Sequence, residues 1–126
     1  MNEYLEKEFY APMGMTRTLY RPLLRFKSEQ IVPTVQKDYL RGRKELRGYV
    51  HDEIAAFMGG VSGNAGLFSN AHDVAKVYQM LVDGGQYEGK RYLSLETCQL
   101  FMGKKSRISR RSLGFDRPDP MPDKGP

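Results

Sequence analysis

The 126-residue sequence is poor in cysteine and has no long apolar run. Its single cysteine, Cys98, excludes an internal disulfide, and its place in a helical pattern beside Leu100 and Phe101 predicts a buried or half-buried structural thiol. No apolar stretch approaches the roughly 20 residues that a membrane-spanning helix needs. The first ten residues, MNEYLEKEFY, are partly acidic and do not resemble a signal peptide. With 40% hydrophobic and 28% charged residues, the composition indicates one folded globular domain.

The net charge of +5 is distributed unevenly along the chain. Residues 1–50 carry ten Lys or Arg against six Asp or Glu, residues 51–100 carry three against six, and residues 101–126 carry seven against three. A basic chain can attract nucleic acid. Here the basic residues form two separate segments with no aromatic stacking pattern between them, so we expect no nucleic-acid partner.

The stretch from Gly59 to Gly85 contains the clearest local signals. Asn70 is a typical N-cap, and Asp73 three residues later can reach back to the Asn70 amide as in a capping box. Apolar residues then recur at helical spacing: Val74, Val77, Tyr78, Leu81 and Val82. The pattern predicts one amphipathic helix that ends at Gly84 and Gly85.

Before this stretch, the pattern predicts helix, loop and little strand. Residues 2–10 are predicted to be helical up to Pro12, followed by a turn that buries Met13 and Met15. Residues 16–30 are expected to be mostly loop. Residues 30–35 could form a short edge strand, and the charged residues 36–48 an exposed loop. Asp52 is expected to cap a short helix.

After it, the sequence predicts a further helix and an irregular end. Residues 86–93 indicate a turn or small hairpin around Glu88-Gly89, and Ser94 can cap another helix. The basic segment 103–112 is expected to be mobile, and residues 113–115 to start a strand. The prolines of segment 117–126 exclude a regular element there.

The residues that could carry chemistry do not form a recognisable motif. Ser62 lies in Gly-Val-Ser-Gly-Asn, which departs from the G-x-S-x-G nucleophile elbow at its last position and lacks the strand before it. His51 and His72, with neighbouring acidic residues, show no metal-ligand spacing. The glycines around them do not form a phosphate-binding loop. We therefore expect no metal and no cofactor.

Four segments nevertheless follow one family's order: PMGMTRT at 12–18, IVPT at 31–34, LRGYVHDEIAAFMGGVSGNAGLFSNAHDVAKVYQMLVDGGQYEGKRYLSLETCQLF at 46–101, and SLGFD at 112–116. They resemble the middle section of the serine β-lactamase and penicillin-binding-protein family, in its class C and esterase-like branch. That family has a Pro-Leu-Gly-Met turn and a G-x-A-G-L-F-S-T-A-x-D-L-A segment. Here Met13, Asn70 and Val74 replace its leucine, threonine and leucine.

The family's catalytic motifs are absent from this sequence. No serine has Lys three residues later, no tyrosine belongs to Y-x-N, and neither K-T-G nor H-T-G occurs. The resemblance therefore implies an internal, mostly α-helical fragment with long loops and minor strand, residues 1–116, of the α+β β-lactamase/transpeptidase-like fold. Residues 117–126 would be a disordered proline-rich tail. The helix at the very start also suggests that the chain begins inside a larger domain.

The resemblance implies a function for the longer protein from which this fragment would come, called the parent here, and few site residues for this chain. It implies the cleft-lining portion of a serine hydrolase that forms acyl-enzymes with β-lactam, peptidoglycan-peptide or ester substrates. Gly63, Asn64 and Ala65 are the candidates for substrate contact; the alternative is that they only shape a tight turn. No catalytic residue is assigned, and segment 51–53 is expected to pin its own loop.

The isolated chain is therefore expected to be inactive, with the remainder of the parent domain and its small acyl substrate as partners. The other interpretation is a non-catalytic binding or interaction module. Self-association is possible, because helices without their sheet expose apolar surface. A parent of this family would be periplasmic or extracytoplasmic.

Overall fold

The computed structural model describes residues 1–103 and 110–116. The chain divides into two compact units, Met1–Lys76 and Val77–Pro126. The helices of the described residues are α1 (Asn2–Leu5), α2 (Glu53–Phe57), α3 (Ala71–Val82) and α4 (Leu95–Met102). The strands are β1 (Leu19–Tyr20), β2 (Pro33–Asp38), β3 (Arg43–Arg47), β4 (Leu67–Phe68), β5 (Gln86–Tyr87) and β6 (Lys90–Arg91). None of the described helices is long and apolar enough to cross a membrane.

The prediction of a mostly α-helical fragment of a β-lactamase/transpeptidase-like fold is wrong. The strands form three separate antiparallel pairs, β1–β4, β2–β3 and β5–β6, and three of the four described helices are eight residues or shorter. The prediction failed because it relied on the 3.6-residue period of one long helix and on the number of capping signals. Short strands with polar residues on both faces leave no comparable period.

The first unit starts with an α-helix that continues into a π-helical turn. After α1 the chain continues as a π-helical turn, Glu6–Tyr10, and the segment after Pro12 folds back with Met15 N–H donating to Tyr10 O. Met13 and Met15 are buried at 2% and 4% exposure, as the sequence predicted. Burial raises the pKa of Tyr10 to about 12, because the phenolate would lose its hydration in this core.

The segment that the sequence indicated as an exposed loop, residues 36–48, is instead mostly a β-hairpin. Strands β2 and β3 pair with Val35 opposite Leu46, and Leu46 is only 1% exposed. The turn between the strands is fixed by Asp38, whose buried carboxylate accepts from the Arg41 backbone at 3.3 Å and the Arg41 guanidinium at 3.1 Å. The apolar Leu46 and the ion pair of the buried Asp38 carboxylate with Arg41 therefore order a segment whose other side chains are mainly charged.

Helix α3 begins as the sequence predicted, with one difference. Asn70 Oδ1 accepts from Asp73 N–H at 2.8 Å, which is the expected N-cap. Asp73 does not complete a capping box. Its Oδ2 instead accepts from the Arg17 backbone at 2.8 Å and from the Thr18 hydroxyl at 3.1 Å. The acidic residue of the first turn thus holds a segment that lies 55 residues earlier in the chain.

The end of α3 and the hairpin after it belong to the second unit. Gly85 N–H donates to Met80 O at 2.8 Å with φ of 93°, and a Cβ at Gly85 would lie 2.1 Å from Leu93 O. Strands β5 and β6 then form the predicted hairpin, with Glu88 and Gly89 at φ of 47° and 79° in its turn. Positive φ at both central residues identifies a type I′ turn.

Helix α4 follows this hairpin and starts as expected. Ser94 Oγ accepts from Thr97 N–H at 3.1 Å, and Cys98 is buried at 1% exposure. The strand expected at residues 113–115 is wrong, because Ser112 N–H donates to Phe115 O and closes a turn. The expectations for the segments 104–109 and 117–126 lie outside the described residues.

Candidate functional site

The loop between Gly60 and Gly66 is a compact surface loop closed at its base. The two glycines come so close that a Cβ at Gly66 would lie 2.6 Å from Gly60 O, and Gly66 has a φ of 106°. Only glycine accepts both conditions. The loop leads directly into β4, which pairs with β1 through Tyr20 opposite Leu67. The Tyr20 hydroxyl donates to Ser62 O at 3.2 Å, so β1 also supports the middle of the loop.

A chain of side-chain hydrogen bonds ties the loop tip to the start of α2. Asp52 Oδ1 accepts from Ala55 N–H at 2.7 Å, which caps the helix, and from Asn64 Nδ2 at 3.0 Å. Asn64 Oδ1 in turn accepts from the Ser62 hydroxyl at 2.6 Å. The Ala55 N–H first, and then the Asn64 amide, hold the pKa of Asp52 below its usual range, because both donors favour the carboxylate.

These bonds decide what the candidate residues Gly63, Asn64 and Ala65 can offer to a ligand. Gly63 and Asn64 are exposed and Ala65 is half-buried. The Asn64 side-chain oxygen and one of its N–H groups already bond within the loop. In the described part of the chain, the backbone N–H groups of the three residues make no hydrogen bond to another backbone group. The backbone N–H groups of the loop tip are therefore its candidate donors for the carbonyl or carboxylate oxygens of a ligand.

The structure does not bring the other sequence candidates together. The exposed His51 contributes its carbonyl oxygen to Arg41 Nη2 at 3.2 Å, whereas His72 Nδ1 lies 3.6 Å from Asp73 Oδ1. The Ser62 hydroxyl points to an amide and not to a base. No group of three or more His, Cys, Asp or Glu residues within 1–103 and 110–116 could hold a metal ion.

Sequence reasoning missed two residues that shape this loop. Asp52 was expected to cap α2, but its bond to Asn64 spans 12 residues and has no local signal. Tyr20 lies 42 residues before Ser62, in a segment expected to be mostly loop. A two-residue strand has too short a pattern to be predicted, so no signal in the sequence indicates this support.

The chain is similar to bacterial relatives with two different names. It is 36% identical over 126 residues to "Putative D-alanyl-D-alanine carboxypeptidase" of Escherichia coli (strain K12), and 33% identical over 126 residues to the protein of that name in Salmonella agona (strain SL483). It is 35% identical over 128 residues to "N-acetylmuramyl-L-alanine amidase" of Bacillus subtilis (strain 168). These alignments cover 91%, 91% and 93% of the chain.

The chain spans 29% of the length of each of these relatives. No family model and no solved structure matches it. The relatives' names point to peptidoglycan hydrolases, so the assignment to a fragment of the β-lactamase and penicillin-binding-protein family is wrong. That assignment relied on four segments of the chain, at 12–18, 31–34, 46–101 and 112–116, that follow one family's order. None of them contains a catalytic motif, so the resemblance did not include the residues that carry that family's chemistry.

Proposed function

We propose that this chain is a section of a peptidoglycan hydrolase that cleaves an amide bond beside an alanine residue. One observation carries the proposal: more than nine-tenths of the chain aligns, at 33–36% identity, with proteins named for that chemistry. A D-alanyl-D-alanine carboxypeptidase and an N-acetylmuramyl-L-alanine amidase both hydrolyse an amide, and in both names the neighbouring residue is alanine. The substrate class is thus a cell-wall peptide.

Within such an enzyme, the loop between Gly60 and Gly66 is the part of this chain that fits substrate contact. Peptide carbonyl and carboxylate oxygens are acceptors, and the tip of this loop offers the backbone N–H groups of Gly63, Asn64 and Ala65 as donors. The tip is held by Asp52 and by Tyr20, so little conformational freedom is lost on binding. The small side chains of Gly63 and Ala65 allow a peptide backbone to approach closely.

The reacting groups of this enzyme would lie outside the described residues. The Ser62 hydroxyl donates a hydrogen bond to Asn64 Oδ1, His72 lies beside its chain neighbour Asp73, and no hydrogen bond joins Ser62 to either histidine among the described residues. A nucleophile needs a base within hydrogen-bond reach. The isolated chain is therefore expected to bind without turnover, and the remainder of the hydrolase domain is its main partner.

A second candidate function, a non-catalytic interaction module, is favoured by the apolar side chains of α2 and of Met58, which follows it. Ile54, Phe57 and Met58 are 69%, 92% and 62% exposed. An exposed cluster of this kind is typical of a surface that packs against another protein segment. Light scattering over a concentration series tests its simplest form, self-association of the chain. A strict monomer at all concentrations would contradict it.

The substrate proposal can be tested by NMR with the isotope-labelled chain and a soluble muropeptide that ends in D-alanyl-D-alanine. We expect amide shifts concentrated in residues 61–66, and no release of D-alanine by mass spectrometry. Asn64→Ala, which removes the bonds to Asp52 and Ser62, should weaken binding several-fold. The matched control Gln36→Ala deletes an exposed amide on the hairpin and should leave binding unchanged.

Two results would contradict the proposal. Shifts that are absent, or that avoid residues 61–66, would exclude the loop as a substrate contact. Release of D-alanine by the purified chain would show that the reacting groups lie within it after all.

A further inference from the structure

A cleft separate from the Gly60–Gly66 loop lies in the first unit, and Leu19 of β1 is among its lining residues. It is a half-open cleft of about 330 Å³, within the usual range for small-molecule sites. Its apolar surface comes from Leu19, Pro22, Phe26, Ile31, Val32 and Phe68. Four polar residues complete its lining: Arg17, Gln30, Ser69 and Asn70. Leu19 and Tyr20 are neighbours in a strand, so one lines this cleft while the other supports the loop.

The side-chain groups left unbonded at this cleft are nearly all hydrogen-bond donors. Gln30 Oε1 accepts from Lys27 N–H at 3.0 Å, and Asn70 Oδ1 accepts from Asp73 N–H at 2.8 Å. Both amide oxygens are therefore used locally, which leaves the two NH₂ groups as donors. The Arg17 guanidinium has no acceptor among residues 1–103 and 110–116, although its backbone N–H bonds to Asp73. Ser69 Oγ lies 2.7 Å from the Thr18 hydroxyl and is already bonded.

The charge around the cleft favours an anion. The Arg17 guanidinium lies 5.8 Å from the centre of the Phe26 ring, and the Arg25 guanidinium lies 5.9 Å from the same ring. An aromatic face orients a nearby cation and leaves its N–H edge free to bond. No carboxylate is among the lining residues, and the Oδ2 atom of the buried Asp73 already accepts from Arg17 N–H and from the Thr18 hydroxyl.

We propose that this cleft binds a small carboxylate with an apolar body. The carboxylate would pair with Arg17 and accept from the Asn70 or Gln30 amide, while the apolar body would cover Phe26, Ile31 and Phe68. Neither half suffices: an exposed arginine alone binds carboxylates weakly, and the apolar surface alone cannot orient a ligand. Two sources share this chemistry, the C-terminal residue of a peptide and a short fatty or aryl acid.

This proposal does not depend on the proposed function. None of the residues that line the cleft belongs to the Gly60–Gly66 loop. Shifts at residues 61–66 report on one site, and shifts at Phe26, Ile31 and Phe68 report on the other. Either proposal can therefore fail alone.

The experiment is an NMR titration of the full chain with 3-phenylpropionate as probe. Saturable shifts are expected at Phe26, Ile31, Phe68 and Asn70. The uncharged analogue 3-phenylpropanamide and the small anion acetate should each bind at least about tenfold more weakly, because each lacks one half of the recognised chemistry. A dipeptide with a free carboxylate, titrated in parallel, distinguishes the peptide source from the fatty or aryl acid.

Two variants test whether the Arg17 side chain contributes to the binding of 3-phenylpropionate. Arg17→Gln should weaken 3-phenylpropionate binding by about tenfold or more, since a bidentate charge-assisted pair is lost. The fold should be retained, because only the backbone of residue 17 bonds to Asp73. The control Arg43→Gln makes the same charge change at an exposed position of the hairpin and should bind normally. Equal binding of the acid and its amide, unchanged binding by Arg17→Gln, or no saturable shifts would each overturn the proposal.

Discussion

The buried carboxylate of Asp73 offers the sharpest test of how the first unit is held together. Its side chain is 3% exposed, and Oδ2 accepts both Arg17 N–H at 2.8 Å and the Thr18 hydroxyl at 3.1 Å. Thr18 is itself 2% exposed. Removal of this acceptor leaves the buried Thr18 hydroxyl and the Arg17 N–H without the partner that they have in the folded state.

The expected magnitude follows from these bonds. A hydrogen bond to a charged group contributes about 1.5–3 kcal/mol, and an acidic residue in the first turn of a helix adds about 0.3–1 kcal/mol. Because the two bonds share one oxygen, their contributions are not fully additive. Asp73→Ala should therefore lower the free energy of unfolding by about 3–5 kcal/mol. That is a large share of the roughly 5–15 kcal/mol typical of a domain.

The assay is urea unfolding followed by circular dichroism, with three comparison variants. Asp73→Asn keeps the shape and one acceptor oxygen, so it should cost only about 1–2 kcal/mol. Thr18→Val removes one of the two donors and should show coupling to Asp73→Asn in a double-mutant cycle. Asp83→Ala deletes an exposed carboxylate that bonds Gln79, and it should cost less than about 0.5 kcal/mol. If Asp73→Ala cost no more than Asp83→Ala, the structural reasoning would be refuted.

Three further outcomes are expected. Glu88→Asn should raise the free energy of unfolding, measured in urea, by about 0.5–1 kcal/mol, since asparagine tolerates the positive φ of this turn in the β5–β6 hairpin. The control Glu88→Gln removes only the charge and should leave the free energy of unfolding unchanged. Gly85→Ala should lower the free energy of unfolding by at least about 2 kcal/mol, because the added methyl group would meet Leu93 O. Gly89→Ala, with open space around it, should lower it by about 1–2 kcal/mol. Equal effects of the two variants would contradict the packing argument. The Asp52 carboxylate has a lowered pKa, so its ionised form stabilises the fold above its usual pKa range, and this stability is lost as the pH falls through the lowered value. The difference in free energy of unfolding between wild type and Asp52→Asn should therefore shrink between neutral pH and about pH 2. A constant difference would exclude this linkage.

The helix ends could be predicted from the sequence because their causes are local. Asn70, Asp52 and Ser94 each accept from a backbone N–H three residues later, and such a cap needs only the right side chain at the right spacing. The hairpin at Glu88-Gly89 was predictable for the same reason. In each case the interacting residues lie within a few positions of each other, so the order of residue types in the sequence is enough to predict the interaction.

The β2–β3 hairpin and the supports of the Gly60–Gly66 loop could not be predicted, because their causes are not local. Leu46 is the one buried side chain of β3, so no alternation marks the strand. The Asp52–Asn64 and Tyr20–Ser62 bonds join separate segments and leave no period. Gly63, Asn64 and Ala65 came from the family resemblance and stay a prediction, and the sequence could not indicate that the Asn64 side chain is already bonded.

The first turns of α3 satisfy the backbone of a segment that has no regular structure of its own. Asp73 accepts from Arg17 N–H, and Lys76 Nζ donates to Met13 O at 3.0 Å and Gly14 O at 2.7 Å. The contacts span 56 to 63 residues, so segment 13–17 can become ordered only after a long loop has closed. Docking of this segment should therefore be a late folding event, and hydrogen exchange at the single Arg17 amide would time it.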